Sequence, residues 1–171
     1  MQAEIASFQP IYYDRIAQLT NKSNQFNLTT FRYTRADIER MAKDSRYIAL
    51  YGRLQDRFGD NGLVSVIIAE KERSDVHIRL WLMSCRVLKR GMEEAMMDVL
   101  LARTRLAGGK KLIGYYYPTA KNGMVRDFYG LHGFSLLEDV AGATVWVYDL
   151  ATKDTSPVQR HFIMVKEAEV D

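Results

Sequence analysis

The stretch Asn122-Gly-Met-Val-Arg-Asp-Phe-Tyr-Gly-Leu-His-Gly-Phe134 carries the most specific local pattern in this sequence. Its apolar residues recur at helical spacing and predict a short helix: Met124, Val125, Phe128 and Leu131. Asn122 is placed to cap that helix, because a short polar side chain there can bond free backbone N–H groups. Gly133 ends the helix. Strands are predicted on both sides, over 111–117 and from residue 134.

Further helices and strands are predicted outward from this stretch. Helices are expected over 11–20, 35–44 and 92–106, and Thr34 and Asp37 resemble a capping box at the second of these. The third helix carries one apolar stripe, closed by Gly108-Gly109: Met92, Ala95, Met96, Val99, Leu100 and Leu106. The remaining predicted strands span 47–54, 63–69, 76–83, 134–137 and 143–150, with a turn at Asp60-Asn61-Gly62.

The order of these elements predicts the α/β class, with a single domain whose mixed, mostly antiparallel sheet is flanked by helices. The three strands between 47 and 83 form an antiparallel meander. The strand–helix–strand step that follows needs a parallel pair and a right-handed crossover. We assign residues 1–150 to the domain and 151–171 to a C-terminal extension.

Composition excludes several classes of protein. The 171 residues are 47% hydrophobic and 26% charged, with a net charge of +3, which excludes a disordered chain, a collagen-like repeat and a coiled coil. The basic excess is too small to indicate nucleic-acid binding. One cysteine and three unclustered histidines predict no internal disulfide and no metal site. No apolar run approaches the roughly 20 residues of a membrane span, so we expect a cytoplasmic protein with no membrane partner.

The stretch 122–134 resembles the last helix of the GNAT acyltransferases, in which an Asn precedes a Phe-Tyr pair and a Gly-Phe follows. The resemblance implies a GNAT-like domain with strands splayed apart between 76–84 and 111–117. It also implies that Asn122 contacts a pantetheine arm and that Tyr129 protonates the departing thiolate. The alternative is a capped helix with an aromatic side chain packed in the core.

The turn after the strand 76–83 is where GNAT enzymes hold the CoA pyrophosphate on backbone N–H groups. Aligning Arg90 with the first position of that loop puts Glu93 where its first glycine belongs. A carboxylate there repels a pyrophosphate, so ordinary acetyl-CoA chemistry is in doubt. The candidate anion-binding or pantetheine-binding residues of this turn are Arg86, Val87, Lys89, Arg90 and Gly91.

Cys85 lies at the end of the same strand. A thiol beside basic residues and a helix N-terminus has the setting of an acyl-accepting nucleophile, with His132 as a possible base. A small buried hydrophobe is the alternative reading of a lone cysteine. Thr119 and Lys121, on the loop 117–122, are candidates to bind the substrate, and a solvated loop is the alternative there.

Four segments resemble the C-terminal GNAT-like region of the FkbH family, whose members carry a HAD-type phosphatase core. They are Arg15-Ile-Ala-Gln-Leu-Thr-Asn-Lys-Ser-Asn-Gln-Phe-Asn-Leu-Thr-Thr30, Asp56-Arg-Phe-Gly-Asp-Asn-Gly62, Trp81-Leu-Met-Ser-Cys-Arg-Val-Leu88 and Pro118-Thr-Ala-Lys-Asn-Gly123. The resemblance covers roughly residues 8–137.

This resemblance implies transfer of a glyceryl or similar acyl group to or from the phosphopantetheine thiol of an acyl carrier protein, in polyketide extender-unit synthesis. It implies a cysteine-bound acyl intermediate, for which Cys85 is the candidate. No Asp-x-Asp phosphatase motif occurs, so a HAD-type phosphatase is expected as a partner or as a missing part of the chain. No permanently bound cofactor is expected, and a carrier-borne pantetheine needs no pyrophosphate loop.

Two other functions remain open from the sequence. One is a non-catalytic module that docks an acidic carrier protein beside a phosphatase. The other is an acetyl-CoA-dependent N-acetyltransferase. An exposed Cys85 thiol that faces the 122–129 helix favours chemistry, and a buried thiol favours docking.

Overall fold

The structure, a computed structural model, describes residues 1–152 and 163–166. Its strands are β1 (Gln2–Ser7), β2 (Tyr47–Asp56), β3 (Gly59–Glu72), β4 (Asp75–Met83), β5 (Lys111–Tyr116), β6 (Ser135–Val140), β7 (Ala143–Asp149) and β8 (Met164–Lys166). Its helices are α1 (Tyr13–Lys22), α2 (Arg35–Lys43), α3 (Met92–Leu106) and α4 (Phe128–Leu131). Short 3₁₀ turns occupy Pro10–Tyr12, Cys85–Val87 and Gly123–Val125.

All eight described strands form one sheet in the order β6-β7-β5-β4-β3-β2-β1-β8. The pairs β4–β5 and β1–β8 are parallel, and the other neighbours are antiparallel. The predicted fold class is therefore confirmed, including the meander β2–β3–β4 and the parallel step through α3.

Helices cover both faces of the sheet, because successive side chains of a strand point to opposite sides. Leu50 belongs to the core under α3, whereas its neighbours Ala49 and Tyr51 belong to the core under α1 and α2. The predicted stripe of α3 is buried except for Leu106, which is 85% exposed at the C-terminal end of the helix. That part of the prediction was wrong, because the helix ends beyond the edge of the core.

The capping box of α2 is confirmed at both bonds. The Thr34 hydroxyl accepts from the Asp37 backbone N–H at 3.1 Å, and the Asp37 carboxylate accepts from the Thr34 N–H at 2.9 Å. The two bonds satisfy backbone donors that the first turn of the helix leaves free.

The predicted turn at residues 60–62 was wrong. The chain reverses earlier, at 57–58, where the Asp56 carboxylate accepts from the Phe58 backbone N–H. Residues 60–62 belong to β3, and the register of β2 and β3 shifts opposite them. Gly62 has a φ of 70°, so the glycine serves a β-bulge and not the hairpin turn.

Three further elements differ from the predictions. Strand β1 was not predicted. The helix expected over 124–131 is divided into the turn Gly123–Val125 and the single-turn α4, and Met124 and Leu131 are exposed. In the C-terminal extension, β8 pairs with β1. No helix in the described ranges is long and apolar enough to cross a bilayer.

Candidate functional site

Strands β4 and β5 pair over only part of their length. Their parallel register covers Asp75–Ile78 and Lys111–Gly114, although β4 continues to Met83 and β5 continues to Tyr116. The expected splay between these strands is therefore present. A gap of this kind places backbone groups of two strands where a ligand or another segment can bond them.

A segment of the protein's own chain, Phe26–Thr29, fills this gap, and we call it the strap. The Leu28 backbone bonds β4 and the residue that follows β5: its N–H donates to the Trp81 carbonyl at 3.1 Å, and its carbonyl accepts from the Tyr117 N–H at 2.9 Å. The Phe26 carbonyl accepts from the Met83 N–H at 3.0 Å. All four strap residues are buried, so the strap closes the sheet at the splay.

Asn122 binds the strap and the loop around it. Its side-chain amide donates to the carbonyls of Asn27 and Tyr117 at 3.0 and 2.9 Å, and its Oδ1 accepts from the Thr119 N–H at 2.7 Å and from the Tyr116 hydroxyl at 3.3 Å. Asn122 makes no capping bond, so the predicted helix cap was wrong. Its side-chain amide is already engaged by these four partners. Its contact with pantetheine stays a prediction.

A cleft of about 830 Å³ lies between the N-terminus of α3 and α4, and we call it the α3–α4 cleft. Its floor is largely apolar and its rim carries both signs of charge. It is lined by Met1, Phe26, Leu88, Lys89, Arg90, Gly91, Glu93, Glu94, Met124, Val125, Asp127, Phe128, Leu131 and His132. A cleft with an apolar floor beside a helix N-terminus has the shape and dipole of an anion-bearing ligand site.

A carboxylate already occupies the turn at the rim of this cleft. Glu93 is 8% exposed, and its Oε1 accepts from the Lys89 backbone N–H at 2.9 Å. Its Oε2 has no hydrogen-bond partner among the described residues. Arg90 bonds the Asp56 carboxylate and, with the Phe58 N–H and the Asn61 amide, lowers the pKa of Asp56 to about 2. Some of the hydrogen-bond donors of this turn are therefore already bonded to carboxylates of the protein itself.

The remaining predicted residues of the turn differ in exposure. Arg86 is exposed, and its guanidinium bonds the Ser84 hydroxyl at 3.3 Å and the Asn61 carbonyl at 3.5 Å. Val87 is fully buried in the core under α3. Gly91 precedes α3 with a φ of 92°, a conformation that glycine adopts without strain.

Tyr129 lies against β5, on the α4 side of the splay. Its ring is 1% exposed, and a Cβ atom added at Gly114 would lie 2.7 Å from the ring. Among the described residues the proton of its hydroxyl has no acceptor. Burial raises the pKa of Tyr129, and the nearby backbone N–H of Tyr115 opposes this only in part. The hydroxyl is therefore a proton donor without an acceptor.

Cys85 lies in a second cleft, on the other side of the strap, which we call the Cys85 cleft. The thiol is exposed, and its Sγ lies 3.1 Å from Gln25 Oε1. Lys22 and Lys121 line this cleft, and neither forms an ion pair within the described residues. The sequence predicts an exposed Cys85 thiol if the protein performs chemistry there, and the thiol is exposed.

Thr119 organises the loop beside this cleft. Its hydroxyl accepts from the backbone N–H groups of Lys121 and Asn122, both at 3.2 Å. The structure thus places Thr119 and Lys121 together, with Lys121 on the Cys85 cleft. Substrate binding by both residues stays a prediction.

The structure does not bring a histidine to Cys85. His132 lines the α3–α4 cleft, with Nδ1 2.8 Å from the Phe128 carbonyl and Nε2 3.9 Å from Glu94. His77 bonds the Tyr115 hydroxyl at 2.8 Å on the sheet, and His161 lies outside the described residues. The described residues hold no cluster of three or more potential metal ligands.

Sequence reasoning missed the strap and the glycine opposite Tyr129. Phe26 lines both clefts, and this placement depends on tertiary contacts. Gly114 did carry a signal, because a glycine inside a predicted strand often marks the close approach of another group.

The comparisons with known proteins show the fold. No protein-family model matches the chain, and no curated protein matches it in sequence. The ribosomal-protein-S18-alanine N-acetyltransferase of Escherichia coli is similar in structure, with a TM-score of 0.66 at 11% identity over 90% of this chain and 97% of that one.

Two further solved structures agree with it. An acetyltransferase of the GNAT family from Streptococcus pneumoniae gives a TM-score of 0.65 at 12% identity, covering 86% of this chain and 99% of that one. The PaiA N-acetyltransferase of Thermoplasma acidophilum, solved with coenzyme A, gives 0.61 at 12% identity, covering 87% and 99%. The chain has the GNAT acetyltransferase fold. None of these findings bears on the FkbH family specifically.

Proposed function

We propose that this protein is an acyltransferase that takes its acyl group from the thioester of a pantetheine arm. The observation that carries the proposal is the α3–α4 cleft, which lies beside the N-terminus of α3 and is bordered by Phe26 of the strap that fills the splay of β4 and β5. Acetyl-CoA is the donor that the comparisons favour over a glyceryl thioester, since similar structures include N-acetyltransferases and complexes with coenzyme A. The first candidate is therefore an acetyl-CoA-dependent N-acetyltransferase.

In this reaction an acceptor nitrogen bonds the thioester carbonyl carbon, and the carbon–sulfur bond breaks. The nitrogen loses a proton, and the departing thiolate gains one. Tyr129 is the candidate donor of that proton, because its buried hydroxyl has no acceptor among the described residues. Positioned acids of this kind typically contribute about 10²- to 10⁴-fold to the rate.

Binding of the donor tests this proposal directly. Titration calorimetry with CoA and with pantetheine, which lacks the pyrophosphate and the nucleotide, separates the two ends of the ligand. We expect Glu93→Gln to tighten CoA binding about fivefold, or roughly 1 kcal/mol, because it removes a charge beside the pyrophosphate position. Pantetheine binding should not change.

Glu94→Gln is the matched control, because Glu94 lies on the same cleft but makes no bond to the turn. An equal effect of both variants would indicate a general charge effect. Absence of CoA and pantetheine binding to every variant would contradict the proposal.

One specific observation favours a second candidate, transfer to or from a carrier-protein thioester. The Glu93 carboxylate occupies the Lys89 N–H, and a carrier-borne pantetheine has no pyrophosphate to compete with it. The exposed Cys85, in a cleft lined by two lysines, suits an acyl group that carries a phosphate, such as a phosphorylated glyceryl group, held as a thioester. A glyceryl group and a partner phosphatase belong to this candidate.

Intact-protein mass after mixing with glyceryl-loaded carrier protein tests the second candidate. A gain of one glyceryl unit in the wild type that is absent from Cys85→Ala would support a covalent step at Cys85. No gain in either protein would contradict that step, and retained carrier binding would then favour a docking module. Acetylation of amines by acetyl-CoA with unchanged rates in Cys85→Ala would favour the first candidate.

A further inference from the structure

The strap separates the two clefts. Phe26 lines both of them, and its ring packs edge-on against Phe128 at 5.2 Å between centroids. Tyr129 lines neither cleft in this arrangement. While the strap is in place, a thioester in the α3–α4 cleft therefore reaches neither the Tyr129 hydroxyl nor the Cys85 thiol.

Two buried hydrogen-bond donors packed around Phe128, the ring that Phe26 of the strap contacts, have no acceptor among the described residues. They are Trp81 Nε1 and the Tyr129 hydroxyl. Both rings pack against Phe128, with centroids 4.9 and 5.6 Å away. A buried donor without an acceptor is destabilising, because it has lost its bonds to water. The closed arrangement therefore carries a penalty that a ligand with carbonyl acceptors can remove.

The strap is held by the buried side chains of Phe26 and Leu28 in the core under α3 and by polar bonds at its edges. Besides the backbone bonds to β4 and to Tyr117, the Thr29 hydroxyl donates to the Arg79 carbonyl at 2.7 Å, and Asn122 donates to the Asn27 carbonyl. The net stability from each such bond is small, because its donor and acceptor can bond water instead when the strap opens. Ligand groups of the same polarity can replace these bonds, because the strand edges keep their own donors and acceptors.

We infer that the strap is a displaceable partition: it opens as a unit, joins the α3–α4 cleft to the Cys85 cleft, and frees Trp81 and Tyr129 to bond a carbonyl-bearing chain. The inference rests on the proposed function for the identity of that chain. The opening itself is a property of the free protein and is measurable without any ligand.

Amide hydrogen exchange in the free protein tests the opening. The N–H groups of Leu28, Met83 and Tyr117 bond across the borders of the strap. We expect them to exchange at one common rate, at least tenfold faster than the amides of the β2–β3 ladder, which need global unfolding. Thr29→Val should accelerate these three amides about fivefold, because it removes one hydroxyl bond at constant shape.

Thr104→Val is the matched control. Its buried hydroxyl also donates to a carbonyl at 2.7 Å, within α3 and away from the strap. It should leave the ratio of strap exchange to ladder exchange unchanged. Strap amides that exchange at the rate of the ladder in all three proteins would overturn the partition.

Labelling of Cys85, the chain's only thiol, tests whether the opening joins the clefts. Bromoacetyl-pantetheine alkylates it when the thiolate sulfur bonds the methylene carbon and bromide leaves, and intact mass records the product. We expect saturable labelling that Thr29→Val accelerates about fivefold, with iodoacetamide labelling unchanged. Non-saturable labelling despite normal strap opening would contradict the proposed donor cleft, whereas exchange at the ladder rate overturns the partition itself.

Discussion

Gly114 is the position where one added carbon atom would disturb the candidate site most directly. A Cβ at this position lies 2.7 Å from two ring carbons of Tyr129 and 2.8 Å from a third. Carbon atoms pack best at about 3.5–4.0 Å, so Gly114→Ala requires a shift of about 0.8 Å or more between β5 and the ring. The backbone of Gly114 itself has no left-handed φ, so the effect is one of space alone.

The ring cannot make this shift freely. It is 1% exposed and packs between the rings of Phe128 and Phe134, with centroids 5.6 and 4.9 Å away. Overpacking of a well-packed core costs about 1–3 kcal/mol. We therefore expect Gly114→Ala to lower the free energy of unfolding by that amount.

Urea unfolding, followed by circular dichroism, measures the change. Gly123→Ala is the control, because a Cβ there meets nothing within 4 Å, and we expect it to be neutral or to stabilise by up to about 1 kcal/mol. Adding Tyr129→Leu to Gly114→Ala should recover much of the loss, as a non-additive pair in contact. Wild-type stability in Gly114→Ala, or additive losses in the double variant, would refute the packing argument.

Three further variants test other parts of the structure. Asp56→Asn should make the urea midpoint fall less steeply as the pH is lowered from about 4 to about 2. The folded protein lowers the pKa of Asp56 to about 2. The Asp56 carboxylate therefore contributes its full stability above the unfolded pKa of about 3.9, and this contribution is lost as the pH falls through 2. A steeper loss in the variant would contradict this. Thr34→Ala should lower the free energy of unfolding by about 1 kcal/mol by removing a capping bond of α2, and Thr34→Ser should restore it. Tyr129→Phe should raise that free energy by about 1 kcal/mol, because it removes a buried hydroxyl whose proton has no acceptor among the described residues. The same variant should lower the acyl-transfer rate about 100-fold or more, and an unchanged rate would exclude Tyr129 as the acid.

The elements that the sequence predicted well are those fixed by local chemistry. The capping box at Thr34 needs only its two side chains and the first turn of a helix. The meander and α3 follow from apolar periodicity over long segments, and all of these are present. Strand β1 was missed because its alternation of polar and apolar residues covers only residues 2–5 and ends at Ala6. Pairing with β2 determines the structure of this short segment.

Where a predicted turn or cap was wrong, the residue has the expected bonding ability but bonds a different part of the fold. Gly62 does adopt a positive φ, but it serves a bulge, since the Asp56 carboxylate already stabilises the turn three residues before Asp60. Asn122 does bond backbone groups, but they belong to the strap and the loop 117–119 and not to a helix N-terminus. Local patterns identify what a side chain can bond, and only the assembled fold determines which partner it meets.

At the candidate site, too, the sequence identified individual residues but not their arrangement. Cys85 and Lys121 were chosen separately, from different segments, and the fold places both on one cleft. Phe26, which divides that cleft from the α3–α4 cleft, had no distinguishing feature in the sequence, because nothing in its local pattern separates a core aromatic residue from one that lines a cleft. Its position depends on hydrogen bonds from strands more than 50 residues away in the chain. In the proposed mechanism, access to this site is therefore controlled by a segment that matters for where it is inserted in the fold and not for the chemistry of its side chains.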